Sequence, residues 1–367
     1  MRVVMISKAL VVGAYQRKCE EIAAHPDIEL TVLVPPRWTD KGRATSLERT
    51  YTRGYDLRVI PLLFDGHFHL HLYPTLGREL SMLRPDVLHV DEEPYNLATF
   101  LAYLHGGRVG ARRLFFTWQN IFRRLPPPIN WMERWVLSQS VAAIAGNTAA
   151  RDILRQKGFK KSVEVIPQVG FDPELFQPPT SRPERPFTIG FVGRLIEEKG
   201  LLDLVTAVDG LTGDWRLIFV GDGPLRSALA ARAMALNVGD RVVFQAPVPS
   251  TDVPRALHQL DCLVLPSRTT PSWKEQFGRI LVEAMACGVA VVGSSSGEIP
   301  QVVGSAGLVF PEGDAAALRD RLQQLISSRS LMRDFQSLGR QRFLDQFTQK
   351  QIANATVDMY RRLLTTQ

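Results

Sequence analysis

Cysteine is scarce in this chain, with three residues in 367 (Cys19, Cys262 and Cys287), far apart and odd in number. That spacing excludes a disulfide framework and a zinc site, and it suits buried thiols in a reducing compartment. Long apolar runs are absent too. No stretch reaches the roughly 18 residues a membrane span needs. The apolar start is interrupted by Lys8 before any small-residue cleavage site, so it reads as a first strand and not as a signal peptide, and a cytoplasmic chain is expected. Heptads, short repeats, low-complexity tracts and a Walker-type Gly-Lys-Ser/Thr loop are missing as well.

What is there is the composition of a globular protein, 45% apolar and 22% charged. The length favours two domains of roughly 150–200 residues. Four prolines fall within 177–186, which cannot continue a helix or central strand and reads as a linker. On each side, short apolar runs alternate with helical spacing. Before the linker they lie at 3–6, 30–34, 87–90, 114–117, 142–145 and 163–166. After it they lie at 188–192, 216–220, 242–244, 262–265, 290–293 and 307–310, with helical periodicity at 201–211, 224–236 and 279–287. Such a pattern predicts α/β architecture with parallel sheets covered on both faces. The expected domains are 1–180 and 187–348, with a helix at 349–367 rejoining the first. Ligands then belong at the carboxyl ends of strands.

Three loops in the second half concentrate unusual residues. Gly193 follows a strand and precedes Arg194 and Lys199, two cations able to neutralise a pyrophosphate without a metal. Read alone, the loop is equally a turn with two solvated cations. Gly221 and Gly223 flank Asp222 after the next strand, either for close backbone approach, with Asp222 capping the following helix, or as a tight turn. The third runs from Glu275 through Phe277, Gly278, Arg279 and Ile280 to Glu283. Gly278 is expected to open a helix whose first amides, from 277 to 280, can hold phosphate oxygens. Glu275 before that helix can accept from sugar hydroxyls, and Glu283 inside it can reach a ribose diol. Taken singly, a helix cap and an exposed helix charge explain both glutamates as well.

Together these pieces resemble retaining family 4 glycosyltransferases. Glu275 and Glu283, with seven residues between them, look like that family's Glu-x7-Glu element, with Phe277, Gly278 and the run from Glu283 to Gly288 in place. Gly193 to Gly200, Gly221 to Pro224, Pro266 with Ser267, Gly297 to Pro300 and Gly307 to Phe310 follow in family order. The likeness is close over 187–315 and looser over the whole chain. It implies two Rossmann-like doubly wound domains facing across a cleft (the GT-B type), and transfer of a sugar from a UDP-, GDP- or ADP-sugar to a hydroxyl of a glycan, lipid or small molecule. Retention of configuration, no metal and no cofactor are also implied, and no Asp-x-Asp pair points to a metal. Carried over by residue, Arg194 and Lys199 hold the diphosphate and Glu275 the sugar, these three being the catalytic set. Glu283 holds the ribose, and Gly13, Gly193, Gly221, Phe277, Gly278, Arg279 and Ile280 complete the donor site.

The first half departs from the family. Only Gly13 stands where relatives often carry a glycine pair after the first strand. Gln119, followed by Asn120, occupies the place of a histidine, which puts a side-chain proton-transfer role in doubt. Glu92 and Glu93, just after a strand, are acceptor-side candidates, or a solvated loop. His67, His69 and His71 alternate as on one face of an extended segment, without a further cluster to make a metal site. Residues 1–180 carry net charge +5 of the chain's +7. The same excess falls within 108–136, where six arginines face Glu133 alone and Phe122, Ile129, Trp131 and Trp135 are interleaved. That segment is the expected contact with an anionic membrane, placing the chain at its inner face, or else an ordinary helix with its tryptophans inward; nucleic acid is not expected. Two other readings stay open: a catalytically silent relative used as a binding or scaffold module, and a nucleotide-sugar epimerase or hydrolase.

Overall fold

The computed structural model describes residues 1–40, 42–181 and 184–365. Residues 182–183 of the expected linker and 366–367 of the expected last helix lie outside it. The chain divides into two compact units: Met1–Gly170 with Gln349–Gln367, and Phe171–Thr348. The division falls before the proline stretch because Phe171 and Phe176 are buried in the second unit's core, where their rings meet edge to face at 6.1 Å.

The first unit holds β1 (Arg2–Ile6), β2 (Glu29–Val34), β3 (Arg37–Asp40), β4 (Arg43–Ser46), β5 (Asp56–Val59), β6 (Val87–Val90), β7 (Arg112–Thr117), β8 (Ala142–Ala145) and β9 (Ser162–Val165). Seven of these form one sheet in the order β5-β2-β1-β6-β7-β8-β9, and every pairing is parallel. β3 and β4 pair separately as an antiparallel hairpin.

Period-two alternation assigns each strand residue to one of two cores. Val3 and Met5 of β1, Leu114 and Phe116 of β7 and Ala142 and Ile144 of β8 face one side, with Cys19, Ile22 and the helix Gln349–Thr365. Val4, Ile6, Leu88, Phe115 and Ala143 face the other, beneath the helices Leu76–Leu83 and Leu97–Arg108. Both faces are covered, which is why these strands read as continuous apolar runs.

The second unit holds β10 (Phe187–Val192), β11 (Trp215–Val220), β12 (Val242–Gln245), β13 (Cys262–Leu265), β14 (Ala290–Ser294) and β15 (Leu308–Phe310). Their order is β12-β11-β10-β13-β14-β15, again parallel. In each unit the chain builds outward from its first strand and then returns to the other side of it. The reversal points are β1/β6 and β10/β13, where loops leaving the two neighbouring strands run to opposite sides.

Candidate active site

At the β10/β13 reversal, Lys199 closes the loop after β10 and Glu275 closes the loop after β13. Lys199 Nζ donates to Glu275 Oε2 at 2.6 Å, and Ser267 Oγ donates to the same oxygen at 2.9 Å. Lys199 also sits 5.0 Å from the centre of the Trp273 ring. Among the described residues both bonds use Oε2, so Oε1 of this largely buried carboxylate keeps its lone pairs.

Glycines fix these loops by close approach. A Cβ on Gly200 (φ +63°) would lie 2.1 Å from the Pro266 carbonyl oxygen, and one on Gly297 (φ +58°) would lie 2.0 Å from that of Glu275. On the β11 side, a Cβ on Gly221 would lie 1.9 Å from the Gly193 carbonyl oxygen, and one on Gly223 2.4 Å from that of Leu195. The Leu195 amide donates to Asp222 O at 2.9 Å, and the Leu225 amide donates to Leu195 O at 3.1 Å. The Gly-Asp-Gly turn is therefore the backbone clamp on the loop carrying Arg194. Asp222 accepts from Gly223 N at 2.9 Å and does not cap the next helix, whose N-cap is Leu225.

Arg194 is exposed, and no hydrogen bond or ion pair of its side chain is found among the described residues. The helix Arg279–Ala286 starts from Gly278 in the left-handed region (φ 76°), and its first backbone bond runs from Leu281 N–H to Gly278 O at 2.8 Å. Amides of the first turn precede that bond, as in any helix start. Phe277 packs edge to face on Phe347, with centroids 5.9 Å apart, and Ile280 packs on the same core. Glu283 is buried, not an exposed helix charge, and takes Arg279 Nε on Oε1 at 2.7 Å. Burial raises the Glu283 carboxyl above its ordinary value, and Arg279 opposes the rise.

The β1/β6 reversal in the first unit carries a second lysine–glutamate pair. Lys8 Nζ donates to Glu92 Oε2 at 2.7 Å and lies 4.7 Å from the Phe68 ring centre and 5.0 Å from that of Trp38. His71 Nε2 meets the same oxygen at 2.6 Å, and Tyr73 donates its hydroxyl to Oε1 at 2.8 Å. Burial alone would raise the Glu92 carboxyl, but Lys8 and His71 outweigh it and hold it well below the usual range. Glu93 is buried as well, accepting from Thr117 Oγ1 at 2.6 Å and from the Trp118 amide at 2.8 Å. Its carboxyl is raised by burial, against those two hydrogen bonds. Neither glutamate lies in a solvated loop, and every oxygen of both carboxylates already accepts a hydrogen bond within the unit. Both are spent inside the unit, because carboxylates this deep must be paired.

Gln119 and Asn120 follow β7 and are partly exposed. Gln119 Oε1 accepts from Lys157 Nζ at 2.6 Å, and Lys157 is held in turn by buried Glu133 Oε1 at 2.5 Å. With its oxygen committed to a cation, the amide has N–H groups to offer and no proton-accepting nitrogen. Gly13 is not open. Its amide donates to Glu48 Oε2 at 2.6 Å, and a Cβ there would lie 2.1 Å from Thr50 Oγ1. The histidines do not share an extended face, since turns tie His67 N to Phe64 O at 3.0 Å and His71 N to His67 O at 3.0 Å.

Sequence reasoning missed Lys8, His71, Tyr73, Glu48 and Lys157 as members of these networks. Only Lys8 carried a signal, a lone cation directly after the first strand.

Comparison with known proteins adds two family matches. The family described as glycosyltransferase family 4 matches residues 19–174, and glycosyl transferases group 1 matches residues 172–342. The 2-deoxystreptamine N-acetyl-D-glucosaminyltransferase of Streptomyces fradiae is 37% identical over 147 residues, covering 38% of this chain and 33% of that protein. The 2-deoxystreptamine glucosyltransferase of Streptomyces kanamyceticus is 27% identical over 257 residues, 65% of each chain. The chain thus spans between a third and just under two thirds of the length of these curated relatives. Anabaena HepE in complex with UDP superposes with a TM-score of 0.74 at 17% identity, covering 99% of this chain and 100% of HepE, which shows the GT-B fold.

Proposed function

The chain belongs to the family 4, group 1 glycosyltransferases, and on that premise we propose that it moves a sugar from a nucleotide-diphosphate sugar to a hydroxyl acceptor, with retention and without a metal. The observation that carries the reading is the Lys199–Glu275–Ser267 contact at the β10/β13 reversal, flanked by exposed Arg194 and by a helix N-terminus. HepE is described with UDP bound, which supports a uridine donor first, with GDP- and ADP-sugars as alternatives.

In this reading Arg194, Lys199 and the amides from Gly278 to Ile280 take the diphosphate. Fixed donors of this kind stabilise the charge that develops on a leaving group. Glu283 binds the ribose and Oε1 of Glu275 a sugar hydroxyl. The bond between the anomeric carbon and the diphosphate oxygen breaks, the electron pair leaves with the diphosphate, and the acceptor oxygen bonds to the same face of that carbon. The acceptor proton passes to a phosphate oxygen, because Gln119 offers no basic nitrogen. Gln119 instead donates to an acceptor oxygen.

Incubation with UDP-, GDP- and ADP-sugars, with and without hydroxyl acceptors, tests this through release of free nucleotide diphosphate. Acceptor-dependent release from one donor is expected. Donor binding without turnover of any donor would instead identify a silent binding module, and a changed nucleotide sugar without release an epimerase.

A further inference from the structure

The basic segment 108–136 does not form one surface. Arg112 and Arg113 begin β7 and are spent on carbonyls, Arg112 on Leu363 O and Arg113 on Tyr103 O at 3.0 Å. Arg108 ends a helix at that same amino-terminal edge of the sheet. Arg123 and Arg124 come after β7, at its carboxyl edge, and both are exposed. Six strand residues at about 3.3 Å each separate the two groups.

At the carboxyl edge the two arginines gain apolar company. Phe122 is 48% and Trp131 59% exposed, and the loop after β5 adds Phe64 at 58%, Phe68 at 44% and Leu70 at 52%. The two loops are neighbours. The Leu97 amide donates to His69 O at 3.0 Å, His69 lies 5.4 Å from the Tyr95 ring, and Trp131 lies 5.5 Å from Phe100, one turn along the helix that Leu97 begins. Phe64 holds φ at 58°, a left-handed conformation that costs a bulky residue energy and here leaves its ring in water.

The acidic groups of both loops are neutralised. Within 61–72 the single acid, Asp65, accepts from Arg37 Nε at 2.9 Å and from Thr39 N at 2.8 Å. Within 121–139 the single acid, Glu133, is buried against Lys157. What remains at the surface is aromatic and cationic.

We propose that these two loops seat the chain on an anionic lipid bilayer, the aromatic rings entering the headgroup boundary and Arg123 and Arg124 meeting lipid phosphates. The surface lies at the same sheet edge as Gln119, so the proposal rests on the glycosyl-transfer reading and deepens it: the acceptor hydroxyl is one displayed at a lipid surface.

The test is flotation of the full chain with vesicles of equal parts phosphatidylglycerol and phosphatidylcholine, without nucleotide sugar. Binding is expected to these and not to phosphatidylcholine alone, and to weaken with salt. Reversing both charges (R123E with R124E) is expected to weaken it at least about tenfold, and Phe68→Ser with Trp131→Ser to weaken it further, while Arg108→Glu leaves it within about twofold. Brominated acyl chains are expected to quench a tryptophan signal that Trp131→Phe removes. No vesicle binding would overturn the proposal, as would equal sensitivity to Arg108→Glu, indifference to the aromatic substitutions, or full displacement by a free DNA duplex. Because no donor is present, failure here leaves the donor reading standing, and failure of donor turnover leaves the vesicle result standing.

Discussion

The two sheets place a lysine–glutamate pair at the same topological position, the point where strand order reverses, and each lysine lies 5.0 Å from a tryptophan ring. Lys8 and Glu92 are joined at 2.7 Å, Lys199 and Glu275 at 2.6 Å. Their surroundings differ. The Glu92 side chain is 1% exposed and is further satisfied by His71 and Tyr73, whereas the Glu275 side chain is 11% exposed and keeps one oxygen unused among the described residues. Identical chemistry at identical topology thus serves two ends. A saturated pair stiffens its own unit, and an unsaturated one has capacity left for a ligand.

Four measurements can break or sharpen that contrast. The largest stability effect is expected from Lys8→Met, which strands a buried carboxylate and should cost the first unit about 3–5 kcal/mol in denaturant unfolding. Lys199→Met should cost its unit less than half as much. It should nevertheless lower nucleotide diphosphate release about 10²–10³-fold, the scale of losing one fixed donor to a developing charge. If Lys8→Met slows turnover more than Lys199→Met does, the roles assigned to the two pairs are reversed.

Gly221→Ala comes next. Its methyl would lie 1.9 Å from a carbonyl oxygen, so thermal unfolding should report a loss of roughly 1–3 kcal/mol, typical of overpacking. Gly110→Ala meets nothing within 4 Å at φ +77° and should lose only about 1 kcal/mol, for backbone strain. Equal losses would mean that close approach is not what holds the second unit's loops.

The smallest effect concerns acid. Burial, aided by Lys18, holds the His89 imidazole well below its ordinary value. The folded unit therefore binds fewer protons than the unfolded chain once pH falls below about 6.5, and stability drops by up to about 1.4 kcal/mol per pH unit. The protection factor at β6, the intrinsic exchange rate divided by the observed one, should fall over that range in the native chain, and His89→Gln should flatten the dependence. A protection factor indifferent to pH would show that His89 is not buried neutral.

The sequence was most legible where chemistry or burial dictates residue type. β13, buried on both faces, reads as four apolar residues, and β6 as three with His89 among them. By contrast β5, at a sheet edge, and the β3–β4 hairpin are largely polar and exposed, and no apolar periodicity betrays them. Lys199 and Glu275 were each visible as candidate site residues, but not their mutual bond, because 75 residues and one sheet reversal separate them. Glu92 and Glu93 looked available because a strand end is where ligands bind. Only the fold reveals that Lys8, His71, Tyr73 and Thr117 have already claimed them.

The crossing between the units has a consequence for engineering. Phe171 N donates to Phe347 O at 2.9 Å, and the side-chain amide of Gln349 exchanges hydrogen bonds with the backbone of Gly170 at 2.8 and 3.1 Å. The second unit is thus a cassette whose two ends emerge together. Replacing it by a few glycines closes a short loop at little entropic cost. The first unit would then be one continuous chain, with the junction between Gly170 and Gln349 open to insertion of a unit from another chain.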